Sequence, residues 1–351
     1  MTGSITPPQY VVRDGDALRD RDQVLAIWSD NLGQKDKIGA KYDWFYLRCP
    51  YGAPVLQLLQ HEPSDTSVGT ACAGVRPMFW RGRELRAGVL VDLAVLPEHR
   101  SLGPALILQQ GLIEAGSSQL DLLYGFPNPK AAAVFKRIGY ERLTEIVRYV
   151  RVLRHAQYLR QRIPGWLARP MGWAADLTFA ARDLMLRALG PQLKMHWANT
   201  ADARMDTLWA TSSKGEGLVA TRDSQHARWR FDASPMASTR YLLLMRADEE
   251  SLCAWFAVQL EADTLHVRDF WSSQGARGMD KSFLLALVEA ARKAGHAALS
   301  VEIAADPAHV SNWTQCGFTE RGKRPVFGRW SAPRDAVTHM QLFLTSADED
   351  E

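Results

Sequence analysis

The feature that most constrains this chain is that its two halves carry the same landmarks in the same order. Trp44 and Pro50 stand six residues apart, as do Trp229 and Pro235. Asp92 precedes the pair Gly139-Tyr140 by 47 residues, and Asp269 precedes Gly317-Phe318 by 48. Ordered spacing of this kind marks a duplicated unit, and it has to be recognised first because a missed repeat misassigns the fold. Two α/β domains sharing generic turn residues would give a similar pattern by coincidence, and that alternative stays open from sequence. In either case the 351 residues exceed one core of about 100–150 residues, so two domains are the prior.

Hydrophobic periodicity fills in the halves. It predicts an extended segment over 9–13, a helix over 21–32, and strands over 54–61, 69–81 and 85–96 with a hairpin turn at Gly82-Arg83. After Arg100 come a helix over 103–116, a short apolar strand over 120–125, a helix over 129–138 and a strand over 140–153. A helix between two parallel strands implies an α/β (α+β) class, with a mixed central sheet flanked by helices. From 154 to 197 the alternation breaks, and Pro164, Pro170 and Pro191 punctuate helical pieces such as 173–189. Strands over 241–246, 252–260, 264–271 and 298–303 and a helix over 281–294 then restore it. The expected organisation is a first domain over 8–153, a basic helical linker over 154–197, a second domain over 198–345, and a disordered acidic tail over 346–351.

Charge and cysteine usage narrow the partners. A net charge of +3 is too small for the field of a dedicated nucleic-acid binder. The segment 146–175 nevertheless has no Asp or Glu while holding Arg148, Arg151, Arg154, Arg160, Arg162 and Arg169. With Trp166 and Trp173 on apolar faces, it reads either as a solvated face or as a patch for an anionic substrate or an anionic membrane surface. Cys49, Cys72, Cys253 and Cys316 are scattered, which argues against a disulfide framework and against a metal site. With no signal-peptide pattern and no apolar run of about 18 residues, a cytoplasmic protein is expected, in contact at most with the inner face of a membrane.

The chemistry concentrates after the strand that ends at Val95-Leu96-Pro97. The turn Arg100-Ser101-Leu102-Gly103-Pro104-Ala105 leads into a helix whose unpaired N–H groups and positive dipole end suit a pyrophosphate. Gly103 permits close backbone approach, Arg100 adds positive charge, and Ala105 leaves room. This turn resembles the phosphate-binding signature Q/R-x-x-G-x-G/A of the GNAT acetyltransferase superfamily. The segment from Asn128 through Phe135 to Gly139-Tyr140 is similar to that family's second landmark. The resemblance covers roughly residues 8–150.

That resemblance implies a tandem GNAT chain in which acyl-CoA, as co-substrate, lies between the fourth and fifth strands. Its pantetheine arm would run along Val95 and Leu96, with Asn128 and Phe135 completing the cofactor contacts. The thioester would then lie near Asp92, the candidate general base, and Tyr124, the candidate acid. Asp92 reads equally well as a structural strand carboxylate. Phe135 stands where the family often supplies a tyrosine acid, and Pro104 deletes one N–H donor. Trp44, Tyr46 and Tyr51 are candidates for an acceptor wall, or for plain core packing. Counting from Asp269 as from Asp92 puts Asp280 at the Gly103 position and Ser282 at the Ala105 position, so the second half is expected not to bind CoA. The implied activity is N-acyl transfer to an amine, with a small molecule or amino sugar as acceptor. A Fem-like aminoacyl transferase and a non-catalytic scaffold remain alternatives.

Overall fold

The computed structural model describes residues 9–32, 35–156, 164–246, 250–332 and 341–349. The first half runs β1 (Tyr10–Gly15), α1 (Arg21–Ser29), α2 (Ile38–Tyr42), a π-helical turn (Asp43–Leu47), β2 (Val55–His61), β3 (Thr66–Trp80), β4 (Arg83–Val95), α3 (Leu102–Ser117), β5 (Leu122–Gly125), α4 (Pro129–Arg137) and β6 (Glu141–Val152). Helix α5 (Gly165–Ala188) follows. The first order then returns as β7 (Leu193–Ala198), α6 (Arg204–Thr211), β8 (Leu218–Ala220), α7 (Ser224–Ala227), a second π-helical turn (Arg228–Asp232), β9 (Thr239–Arg246), β10 (Leu252–Glu261), β11 (Thr264–Ser272), α8 (Lys281–Lys293), β12 (Ala298–Ala304), α9 (Pro307–Gln315) and β13 (Thr319–Trp330). The copy differs by the inserted β8 and by a terminal strand, β14 (Leu342–Thr345).

The landmarks that reveal the repeat have local causes. Gly139 and Gly317 take φ of +83° and +85°, the left-handed residue that stops a helix. In both copies the next aromatic reaches back: Tyr140 N–H donates to Phe135 O at 3.0 Å and Phe318 N–H to Trp313 O at 3.1 Å. The corresponding rings touch, with centroids 4.8 and 4.9 Å apart. The two tryptophans meet across the seam: Trp44 Nε1 donates to Trp229 O at 2.6 Å and Trp229 Nε1 to Trp44 O at 3.3 Å, a reciprocal pair that marks a pseudo-two-fold relation.

The strands form one sheet in the order β1-β2-β3-β4-β5-β13-β6-β12-β11-β10-β9-β7. Each half therefore lends the strand that follows its Gly-aromatic pair to the other. β13 lies against β5, with Phe327 opposite Gly125, and β6 lies against β12, with Val150 opposite Ser300. The expected first domain over 8–153 is accordingly not a closed unit. The second half also starts earlier than expected, because Leu193–Ala198 is an edge strand whose side chains alternate between half-buried and exposed from Leu193 to Trp197. Helix α5 begins before Pro170 and runs through it, although the ring removes one helical N–H.

The expected disordered tail is corrected for 346–349. Ser346–Asp348 forms a buried turn closed by a capping box between Thr345 and Asp348, and Asp348 is 1% exposed. Residues 350–351 lie outside the described ones. Among the described residues no helix is long and apolar enough to cross a membrane.

Candidate functional site

In the first half β4 and β5 run parallel only from Ala87 opposite Leu122 to Val89 opposite Tyr124. Beyond Val89 the strands part, because β4 bulges against β3 between Val91 and Ala94, with Asp92 at φ +51°. A bulge bends the strand that carries it, and beyond the contact of Leu90 with Gly125, residues 91–95 have no ladder partner on the β5 side among the described residues. The opening lies beside the start of α3. Ser101 is the N-cap but makes no side-chain cap. Its own N–H goes to His99 O at 2.9 Å, and Pro104 has none to give. The N–H groups of Leu102 and Gly103 are left without an intrahelical acceptor. An added Cβ on Gly103 would meet no atom within 4 Å, so the backbone there is open to a ligand.

Other expected cofactor contacts are placed differently. Arg100 turns back on the end of α1, donating to Asn31 Oδ1 at 2.5 Å and to Val95 O at 3.2 Å, so both its charge and the Val95 carbonyl are engaged. Leu96 N–H donates to Val68 O at 2.8 Å. Asn128 starts α4, its Oδ1 accepting from Ala131 N–H at 3.0 Å. Phe135 is a core residue packed on Tyr140 and Phe327. Ala105 is half-buried in the first turn, and the side chain of Leu102 lies outside the described ones.

The candidate catalytic residues sit on the other face of the sheet or at the seam. The Asp92 carboxylate is buried against α2: Lys41 Nζ donates to Oδ1 at 2.8 Å and Tyr46 OH to Oδ2 at 3.0 Å. Burial and the neighbouring Asp92 raise the Tyr46 hydroxyl well above its usual range. Tyr124 OH donates to Asp348 O at 2.8 Å, and burial drives its pKa upward. Trp44 stacks on Trp229, Tyr46 on Tyr42, and Tyr51 lies 6.2 Å from the His226 ring, so this cluster is packing at the seam between the halves.

The corresponding slot of the second half is closed twice. β11 and β12 pair from Thr264 opposite Ala298 to Val267 opposite Val301, and β14 then inserts beside the end of β12, with Thr345 opposite Ile303. Ser346 Oγ donates to Arg268 O at 3.2 Å and Phe343 packs on Phe270 and Trp271, so the end of the chain occupies this opening. At the helix, Asp280 is the N-cap of α8 and accepts Ser282 N–H at 2.8 Å. Asp280 thus stands at the place of Ser101 and Ser282 at that of Gly103, two residues from the register that counting predicts. The carboxylate closes the dipole end from within.

Sequence reasoning missed the charge cluster that holds this plug. Asp348 accepts from Arg76 at 2.6 Å and Arg222 at 2.7 Å, and Arg222 also donates to Asp269 at 2.8 Å. Burial works to raise the Asp348 carboxyl, but Arg222 and Arg76 outweigh it and hold it below the usual range. Asp269 is pushed up by burial against the pull of Arg222. The available signal was Thr345-x-x-Asp348 behind an apolar run, the pattern of a capping box. Among the described residues no group of His, Cys, Asp or Glu is placed to hold a metal ion.

No protein-family model and no curated protein matches the sequence. Solved structures do match. A probable N-acyltransferase from Enterococcus faecalis V583 is similar at a TM-score of 0.65 and 8% identity, over 92% of this chain and 73% of that one. A GCN5-related N-acetyltransferase from Anabaena variabilis gives 0.60 and 12% identity, over 92% and 73%. A tandem GNAT protein from the clavulanic acid biosynthesis pathway gives 0.53 and 13%, over 93% and 100%. At such identities the likeness is one of architecture, and the chain has the tandem fold of the GCN5-related N-acetyltransferases.

Proposed function

We propose that the protein is an acyl-CoA-dependent N-acyltransferase that holds one acyl-CoA per chain in the first half. The observation that carries this is the contrast between two equivalent slots. One has a parted β4/β5 pair and an uncapped helix start; the other is filled by β14 and capped by Asp280. Leu102 and Gly103 would supply two N–H donors to the pyrophosphate, which predicts weaker cofactor affinity than a turn without Pro104.

The bound acyl-CoA supplies an activated thioester. The acceptor nitrogen forms a C–N bond to the acyl carbon, the C–S bond breaks, and the electron pair leaves on the thiolate while the amine proton passes to solvent. In this scheme Asp92 is a positioning residue, its ion pair with Lys41 fixing the bulge that opens the slot, and Tyr124 anchors the turn at Asp348. An acetyl donor and an amino-sugar acceptor are the finer form of the proposal. A non-catalytic scaffold is the second reading, favoured by Phe135 in the core and by the engaged hydroxyl of Tyr124.

Titration calorimetry with acetyl-CoA tests it. One site per chain is expected, weakened by about 100-fold or more in Gly103→Glu, which sets a carboxylate beside the pyrophosphate. Absence of binding to the wild type removes the enzyme reading. Binding without turnover in a screen of amine acceptors favours the scaffold.

A further inference from the structure

Helix α5 presents an apolar surface that none of the described residues covers. Among the described residues, eight of the thirteen exposed large hydrophobic side chains fall within 171–189. Trp173, Leu177 and Leu184 are 68%, 55% and 65% exposed. At about 100° per residue they share an arc of about 40°, which Met185, Met171 and Leu189 widen to about 160°. The intervening positions are Pro170, Ala174, Ala181, Ala188 and Thr178, whose hydroxyl donates back to Ala174 O at 2.9 Å. No charged residue interrupts the arc.

Its margins are cationic. Arg169 and Arg182 are exposed, one at each edge. Both acids of the helix face the protein: Asp183 pairs with Arg151 and Arg292, and Asp176 accepts His155 N–H at 2.9 Å. The helix is seated by that side, with Arg187 toward Glu289 of α8 and Gly172 closely packed on Ala156. The basic run seen in the sequence is therefore two things. Arg148 and Arg151 belong to β6 within the sheet, while Arg160 and Arg162 lie outside the described residues. The side chain of Trp166 also lies outside them.

We propose that α5 docks on an anionic membrane surface, with Trp173, Leu177 and Leu184 entering the headgroup boundary and Arg169 and Arg182 meeting lipid phosphates. An apolar arc flanked by arginines calls for a partner that is apolar inside and negative at its rim. A second copy of this chain fits less well, because a two-fold contact would bring arginine margins together with no exposed acid on the helix to receive them. The proposal is independent of the acyltransferase reading.

Co-sedimentation of the full chain with phosphatidylcholine vesicles, with and without phosphatidylserine, tests it. Binding to the anionic vesicles is expected, about tenfold weaker on neutral ones and in Arg169→Gln/Arg182→Gln. It should be lost in Trp173→Glu/Leu177→Glu while the unfolding temperature is unchanged. As a variant that keeps the apolar face, Trp173→Phe should bind but lose the fluorescence quenching by brominated lipid that the wild type shows. Wild-type protein that stays in the supernatant with both vesicles overturns the proposal. So does a dimer, seen by light scattering, that the double glutamate variant splits without any vesicle binding.

Discussion

Each half buries a carboxylate three residues before the end of the strand that precedes its slot, Asp92 on β4 and Asp269 on β11, and each is matched by a cation, Lys41 or Arg222. Because the closed half keeps this pair as well as the open one, the carboxylate serves the architecture in both. Asp92→Asn takes the carboxylate charge away from the buried Lys41 ammonium, so chemical unfolding should show a loss of about 3–5 kcal/mol, whereas the shape of the pH–rate profile should persist. A general base at Asp92 would instead move the acid limb of that profile. His226 makes the second residue-scale case. Burial, followed by Arg76, Arg230 and Arg222, depresses its pKa well below 6.5, and its Nδ1 faces Arg76 at 2.9 Å. Below the unfolded-state value of about 6.5 the unfolded chain binds a proton that the native state refuses. Stability therefore falls as pH drops through that window, by up to about 1.4 kcal/mol per unit from this group. Urea titrations at neutral and mildly acid pH should show a shallower loss for His226→Gln.

Among the elements, β14 and the cap of α8 close the second slot independently. Asp280→Ala should cost about 1 kcal/mol through the lost cap, yet leave acetyl-CoA stoichiometry at one because β14 still fills the opening. Deleting 342–349 should have the larger effect, since Phe343 and Leu344 leave the core and Arg76 and Arg222 lose Asp348. Raised binding of a hydrophobic dye and a lowered unfolding temperature would report it. Much at this scale is legible in the sequence. The strands and helices that flank the open slot fall close to where periodicity puts them, and Gly139 and Gly317 announce their helix stops through the positive φ that favours glycine. What is not legible is any choice of distant partner. Nothing local to Tyr124 tells that its hydroxyl meets residue 348, and Trp44 beside Tyr46 and Tyr51 carries the same aromatic signal whether it faces an acceptor or Trp229.

For the whole molecule, the governing fact is that β13 completes the sheet beside β5 and β6 completes it beside β12. A fragment covering 9–153 would present β5 and β6 without these neighbours and is expected to lack cooperative unfolding and dispersed amide resonances. Co-expression with 164–349 should restore both. Pairing Gly125 with Phe327 also closes a loop of some two hundred residues, so folding should be slow compared with a single domain of similar strand content. The sequence repeat reports two copies of a motif but not this exchange, because equal hydrophobic strands fit either neighbour. The crossed strands act like clasped hands. A protease that cut once between Ala156 and Pro164 would sever the chain and leave the particle whole, and the two pieces would separate only in denaturant.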